Sequence, residues 1–352
     1  MKKSKEFLVT GLLICLLSVP GMAQVKVETG AEVIADVKAD AIVTGRWVLA
    51  IHGGAGGPVI GTMPAEVEKM YKDSLNKALD IGSVILQNGG TSMDAVEAVV
   101  RFMENSPIFN AGRGAVLTEE GKVELDAAIM DGKSGKAGAV ADVTTIRNPV
   151  TAARAVLEKT HNVLLVDGGA EQFATAQGLE MVDNSYFITP AQLEKWKKSK
   201  QQNEGKPENK DTKTETHGTV GAVALDQKGN LAAATSTGGI MNKMHGRVGD
   251  SPLIGAGTYA NDQTCAVSAS GTGEFFIRNL VAYDISALIE YKGLPVQEAV
   301  RFEIHERLKQ KGGDGGMIAI DREGNIAMEF NTNMMFRGFS KSEGERSVNI
   351  YP

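Results

Sequence analysis

The sequence predicts a layered α+β fold built on antiparallel sheets. Three observations carry that expectation. First, passages of one shape recur at 115–126, 221–237 and 316–332: an apolar strand, a turn containing Gly and a second apolar strand. That is the pattern of a β-hairpin. Second, segments of helical period precede them, at about 65–88 and 92–104, and lie between them, at about 149–160, 278–292 and 296–311. Helices segregated from hairpins point away from a parallel βαβ sheet. Third, hydrophobic residues make up 42% of the 352 and charged residues 23%, with a formal net charge of −6. This is enough apolar material for a sizeable core, without the charge bias of a disordered chain or a nucleic-acid binder.

Taken in order, residues 1–23 read MKKSKEFLVTGLLICLLSVPGMA. Lys2, Lys3 and Lys5 precede an apolar run over 7–19, and Pro20 leads into small residues before Gln24. This is the pattern of a secretory signal peptide, too short to span a bilayer comfortably, and it predicts a periplasmic or secreted protein. Cleavage removes Cys15 and leaves Cys265 alone, so no internal disulfide is expected. Residues 24–45 are polar and read as an extended arm. Residues 47–51 are an apolar run, read as a buried strand that His52-Gly53-Gly54 ends. Val67, Tyr71, Leu75, Ala78, Leu79, Ile85 and Leu86 share one helical face. Ser92 is placed to cap the next helix, along which Val96, Val99, Val100 and Met103 recur at three- and four-residue steps.

Residues 194–215 break this pattern. More than half are charged, and Trp196 is the one large apolar residue among them. Such a stretch cannot bury enough surface to fold alone, so about 194–218 reads as an exposed linker. It runs straight into Thr216-His217-Gly218-Thr219-Val220-Gly221, where a strand begins. A Thr opening a strand is ordinarily a β-former at an edge. Here a cleavable segment lies upstream, and Gly218 frees the backbone beside it. If the Gly218–Thr219 bond is cut, Thr219 carries a free α-amine next to its own hydroxyl. An α-amine has an unperturbed pKa of about 7.7–8.0, so it can take the hydroxyl proton and serve as a built-in base. Five His and two Cys leave little material for a metal centre, and this chemistry needs no cofactor.

The stretch HGTVGAVALDQKGNLAAATSTGGIMNKMHGRVGDSPLIGAGTYA resembles the core of the plant-type L-asparaginases, which are also isoaspartyl aminopeptidases and belong to the N-terminal-nucleophile hydrolases. IHGGAGG (51–57), FNAGRGAVLTEEGKVELDAAIMDG (109–132), AGAVADVTTIRNPVTAARAV (137–156) and SGTGEFFIR (270–278) follow the same family in its order. Five ordered matches, one of them at a cleavable linker, are far more specific than a lone Gly-rich motif. The resemblance implies an αββα four-layer sandwich and autocatalytic cleavage into an α subunit, 24–218, and a β subunit, 219–352, which together form one hydrolase domain. It also implies a dimer of αβ units acting on small amino-acid or dipeptide substrates, with no nucleic-acid or membrane partner once the signal is removed.

By the same resemblance, Thr219 is the nucleophile for self-cleavage and for hydrolysis of L-asparagine or β-aspartyl dipeptides through a β-aspartyl ester. Thr237 orients it and Asn110 supports it. Arg247 takes the substrate α-carboxylate with its planar fork, and Asp250 takes the α-ammonium. The Ser270 hydroxyl and the Gly271 N–H face the oxyanion, and Gly273 lets substrate approach the backbone. Ser stands at 270 where the family commonly has Thr. A structural Na⁺ is expected on the backbone carbonyls of Met103, Glu104, Ser106, Phe109, Ala111 and Arg113. His52 reads as structural, and the other histidines as too scattered for a metal cluster.

Two other readings compete. A glycosylasparaginase on the same scaffold usually has Asp before the nucleophile and Ser-Thr-Asn-Gly after the second strand. Here those places hold Gly218 and Ser236-Thr237-Gly238-Gly239, and the oxyanion loop has Thr272 and Glu274 instead of Asn and Asp. A catalytically inactive binding protein on this scaffold would have lost its reactive residues, yet Thr219, Thr237, Arg247 and Asp250 are all present.

Overall fold

The computed structural model describes residues 45–203 and 218–352. The expected signal peptide, the arm over 24–44 and the linker over 204–217 lie outside the described residues. The chain is a mixed α/β structure with two sheets. In chain order the elements are β1 (Val48–Ala55), α1 (Ala65–Gln87), α2 (Ser92–Glu104), β2 (Leu125–Asp131), β3 (Ala137–Val143), α3 (Pro149–Lys159), β4 (Leu164–Val166), α4 (Asp167–Ala176) and α5 (Pro190–Asn203). After the gap come β5 (Val220–Leu225), β6 (Leu231–Thr237), β7 (Thr258–Ala260), β8 (Cys265–Gly271), α6 (Gly273–Asn279), α7 (Val281–Lys292) and α8 (Val296–Arg301). The chain closes with β9 (Gly315–Asp321), β10 (Ile326–Phe330), β11 (Met335–Lys341) and β12 (Arg346–Asn349).

The larger sheet has the order β12-β11-β1-β5-β6-β2-β3-β4, and the smaller β10-β9-β8-β7. Within them β3–β4 is the parallel pair. Strands β1, β5 and β6 are buried at every position. They read as near-continuous apolar runs because both faces of the sheet are covered. Leu49, Ile51, Val220, Ala222, Ala232 and Ala234 pack in one core with Leu75, Val96 and Val150 of α1, α2 and α3. Val48, Ala50, Val223 and Ala233 face the other way, in a core shared with Ala266, Ile318 and Ile320 of the smaller sheet. A third core joins Val267, Ala269, Met317 and Ala319 to Phe276, Ile285 and Val300 of α6, α7 and α8. The period of two along each strand is what separates these cores.

Several elements differ from the sequence expectation. The 115–126 hairpin does not form: its turn closes by a Thr118 N–H bond to Lys122 O at 2.8 Å, and the strand starts at Leu125 to pair with β3 and β6 instead. Strand β1 does not stop at His52. It continues to Ala55 against β11 through a bulge between His52 and Gly54. The N-cap of α2 is Thr91, with a capping box to Asp94, and Ser92 is the first helical residue. The 278–292 helix breaks at Leu280, whose φ is 50°, and the last predicted helix becomes π-helical over Phe302–Leu308.

The exposed-linker reading of 194–218 is wrong in its first part. Residues up to 203 belong to α5. Leu193 and Trp196 pack against the first core, and the Trp196 indole N–H donates to Thr118 O at 2.8 Å. Two apolar residues anchor a helix whose other face is charged. Composition averaged over the segment hid them.

Candidate active site

The β5–β6 hairpin sets Val220 opposite Ser236, which brings Thr219, one residue before β5, beside Thr237 at the end of β6. Both are buried, at 6% and 3% exposure. The Thr219 hydroxyl donates to Thr237 Oγ1 at 3.2 Å. Thr237 Oγ1 in turn donates to the Gly218 carbonyl at 3.1 Å and accepts the Gly239 N–H at 3.0 Å. The Gly218 carbonyl also accepts from Asn110 Nδ2 at 2.7 Å. Asn110 is locked in that orientation because its Nδ2 also reaches Gly239 O at 2.8 Å and its Oδ1 accepts the Val116 N–H at 2.9 Å. The carbonyl of the Gly218–Thr219 peptide therefore faces two donors, and the hydroxyl of the next residue begins the same hydrogen-bond chain.

The opposite side of this peptide rests on β1. The His52 Nδ1–H donates to Thr219 O at 3.1 Å, since a carbonyl can only accept. His52 Nε2 then accepts from Ser268 Oγ at 2.8 Å, and Ser268 Oγ meets Thr235 Oγ1 at 2.7 Å. Full burial pushes the His52 pKa down to about 3, against the Thr219 hydrogen bond that raises it, so the ring is neutral. Gly54 closes the same side with φ 111°, where a Cβ would lie 2.9 Å from Gly218 Cα and 3.0 Å from Thr219 N. A side chain there would displace the peptide.

Arg247 and Asp250 lie on a loop that follows β6. Together with Thr219, Thr237 and Gly271 they line a small cavity of about 10 Å³, close to the space of one water. Neither is a solvated surface charge. The Arg247 guanidinium is held by Glu274 in a two-bond fork, at 2.9 and 3.0 Å. Asp250 is 5% exposed, and its Oδ2 has no hydrogen-bond partner among the described residues. Burial pushes its pKa up to about 7, with Arg247 pulling the other way. Gly273 faces both: a Cβ there would come within 2.8 Å of Asp250 Oδ1 and 3.0 Å of an Arg247 nitrogen. The Gly271 backbone borders the cavity. Ser270 is buried behind it, and its Oγ accepts the Ala55 N–H at 2.9 Å.

The loop expected to hold Na⁺ follows α2. Gly112 and Gly114 take φ of 50° and 105°, and the places of their absent Cβ atoms lie 2.4 Å from Glu104 O and 2.9 Å from Phe109 O. A side chain at either glycine would collide with these carbonyls, and Glu104 O accepts the Arg113 N–H at 2.7 Å. Another group of ligand-type side chains is one the sequence did not bring together: ligand atoms of Glu124, Asp142 and His245 lie within 4.8 Å of one another. In the structure His245 Nδ1 contacts Glu124 Oε1 at 2.5 Å, and the Lys243 ammonium sits 3.8 Å from the same carboxylate.

The sequence-predicted residues Thr219, Thr237, Asn110, Arg247, Asp250 and Gly271 thus come together, with Gly273 beside the charged pair and Ser270 one layer behind. Three participants were missed: the positioning contact of His52, the close approach of Gly54 and the Glu274 anchor of Arg247. The His-Gly-Gly run at the end of a buried strand was the available signal for the first two.

Residues 45–350 match the asparaginase family. Curated relatives include an isoaspartyl peptidase of Salmonella typhimurium, 48% identical over 312 residues covering 87% of this chain and 99% of the relative. An isoaspartyl peptidase of Escherichia coli is 47% identical over 313 residues, covering 87% and 97%. An isoaspartyl peptidase/L-asparaginase of Homo sapiens is 41% identical over 288 residues, covering 82% and 91%.

Proposed function

The chain belongs to the asparaginase family and is a hydrolase of the N-terminal-nucleophile type; from that premise we propose that it matures by cutting its own Gly218–Thr219 bond and then hydrolyses L-asparagine and N-terminal isoaspartyl peptides. The observation that carries this reading is the Gly218 carbonyl, held at 2.7 Å by Asn110 and at 3.1 Å by Thr237, with the Thr219 hydroxyl 3.2 Å from Thr237. In self-cleavage Thr219 Oγ attacks the Gly218 carbonyl carbon. Negative charge grows on an oxygen that already faces two donors. The C–N bond breaks, the Thr219 nitrogen takes the proton, and water hydrolyses the ester between Gly218 and Thr219 Oγ. The products are the fragments 24–218 and 219–352, kept together by the shared cores as one αββα four-layer domain. The layering of three cores between and outside two sheets supports that architecture.

In turnover the freed α-amine takes the Thr219 hydroxyl proton and the oxygen attacks the substrate side-chain amide carbon. The β-aspartyl ester forms, the amine leaves with the proton, and water completes hydrolysis. Arg247, pre-aimed by Glu274, meets the substrate α-carboxylate. Asp250 meets the α-ammonium, and its unpartnered buried oxygen supports that role. The Gly271 N–H and the Ser270 hydroxyl serve the oxyanion. Carbonyls of Met103, Glu104, Ser106, Phe109, Ala111 and Arg113 would hold a structural Na⁺ that stiffens the Asn110 loop. The leader 1–23 directs export, and αβ units pair as dimers. No helix among the described residues is long and apolar enough to cross a membrane.

The test offers purified protein L-asparagine, a β-aspartyl dipeptide and a glycosylated asparagine, and follows release of aspartate. Turnover of the first two above the third is expected. Preference for the glycosylated substrate would transfer the chain to the glycosylasparaginase reading.

A further inference from the structure

Beside Thr219 a file of buried polar side chains crosses from the larger sheet to the smaller, and strand pairing sets it up. His52 of β1 lies opposite Gly221 of β5, and Gly221 lies opposite Thr235 of β6. The three positions form one row across the larger sheet, with a glycine in the middle. Ser268 of β8 fills the gap: a Cβ on Gly221 would lie 2.0 Å from Ser268 Oγ and 2.3 Å from His52 Nε2. On the smaller sheet Ser268 pairs with Thr258 of β7. His52, Thr235, Ser268 and Thr258 are all fully buried. They stand on the faces that carry Ala50, Val223 and Ile318 in the core between the sheets. Polar groups taken out of water there are costly unless they are hydrogen-bonded.

The protons of this file can be placed. A carbonyl only accepts, so His52 Nδ1 carries the proton of its 3.1 Å contact to Thr219 O. Full burial keeps the ring neutral, so Nε2 is an acceptor and Ser268 Oγ must donate to it at 2.8 Å. Ser268 then has no proton left and takes one from Thr235 Oγ1 at 2.7 Å. Thr235 takes one in turn from Thr258 Oγ1 at 2.6 Å. Each contact thus has its proton, and every donor points toward Thr219. The far end reaches the head-group loop, where Thr258 Oγ1 also lies 2.9 Å from Ser251 O, next to Asp250.

Self-cleavage changes what holds Thr219. In the uncut chain the peptide before it is anchored through Gly218 O by Asn110 and Thr237. Cleavage gives Gly218 to the other fragment and leaves Thr219 as a chain end. The bond from His52 to Thr219 O lies after the cut and survives it. Without that bond the terminal peptide plane could turn, and carry with it the Cα that bears both the α-amine and the hydroxyl. We propose that Ser268, Thr235 and Thr258 are positioning residues for turnover: their hydroxyl chain holds His52 as its Nδ1–H tautomer, and His52 holds the new chain end in line for attack once Gly218 has left. The inference rests on the hydrolysis at Thr219 proposed above. It separates the two reactions of Thr219, because the uncut chain has the Gly218 anchor as well and the matured one does not.

The experiment follows the full-length protein and its variants through self-cleavage, then measures kcat and KM for L-asparagine after maturation. Ser268→Ala, which takes the donor from His52 Nε2, should lower kcat by about tenfold or more, with KM and the self-cleavage rate little changed. Thr235→Val should lower kcat in the same way, and Thr235→Ser, which keeps the hydroxyl, should restore most of it. Nitrogen NMR of the matured protein should find the His52 proton on Nδ1, and Ser268→Ala should move the ring nitrogens toward exchange between tautomers. If Ser268→Ala does not fold, the pair of Thr235 variants still decides. Three results overturn the proposal and leave the hydrolase reading standing: unchanged kcat in Thr235→Val, equal loss of kcat in Thr235→Val and Thr235→Ser, or self-cleavage slowed as much as turnover. An unaltered protein that neither cuts itself nor releases aspartate from asparagine removes both.

Discussion

The two ends of the Thr219 site are finished to different degrees. At the Gly218 carbonyl every polar partner is in place: Asn110 and Thr237 donate to it, and Asn110 is itself fixed by Gly239 and Val116. At the head-group end Asp250 Oδ2 is buried without a partner among the described residues, and the cavity between it and Thr219 has room for about one water. Burying an unsatisfied polar group costs about 1–3 kcal/mol, more when it is charged. Under the proposed function, the complete hydrogen-bond set belongs to the reaction the chain performs on itself, and the incomplete one to the place where substrate arrives.

The sharpest way to break this contrast is at the residue both ends share. Thr219→Ala should abolish self-cleavage and hydrolysis together, seen as a single full-length band and no aspartate release; activity in that variant would place the nucleophile elsewhere. Next in size, Asn110→Ala removes one of two donors to the developing oxyanion. Self-cleavage should slow by about 10²–10³-fold, followed as the rate of full-length band loss on a gel.

Head-group variants should do the reverse. Asp250→Ala and Arg247→Ala should lower kcat/KM for L-asparagine by about 10–100-fold, mostly through KM, since a hydrogen bond to a charged group contributes about 1.5–3 kcal/mol. Their self-cleavage should proceed nearly as in the unaltered chain. Equal damage to both reactions would show that the two ends are not separable.

The pH dependence carries the same distinction. Asp250 must be ionised to meet an ammonium, and burial pushes its pKa up to about 7 in the free protein. As pH falls through about 7, Asp250 takes up a proton and KM should rise. Below about 7 the kcat/KM profile should therefore steepen beyond the acid limb that the Thr219 α-amine sets, and Asp250→Asn should keep the amine's limb alone. The smallest effect is on stability. An acid whose folded pKa is raised lowers stability as pH rises from about 3.9, its unfolded value, to about 7. Asp250→Asn should therefore raise the thermal midpoint at pH 8, and gain little at pH 4. A gain of equal size at both pH values would mean that the buried charge is not its source.

Much of the site was legible because its residues sit at the ends of elements that the sequence marks clearly. The 221–237 hairpin has two near-continuous apolar strands and a turn containing Gly229, and its register alone sets Thr219 beside Thr237. What escaped was what depends on contacts distant in sequence. His52 reaches Thr219 O across 167 positions, and Glu124 gathers Asp142 and His245 from separate segments. The missing 115–126 hairpin has the same cause: Leu125 and its successors pair with β3 and β6, a sheet choice that no local pattern encodes. The helix over 190–203 was masked by charge on its exposed face, although Leu193 and Trp196 suffice to dock it.

The central claim is that Thr219 becomes a chain terminus and then the nucleophile. Intact-mass measurement of the purified protein tests it most directly. The account predicts two masses, one of them matching a fragment over 219–352 with a free N-terminal Thr219, and in Thr219→Ala the uncut mass alone. A single uncut mass in a protein that nonetheless releases aspartate from asparagine would contradict it.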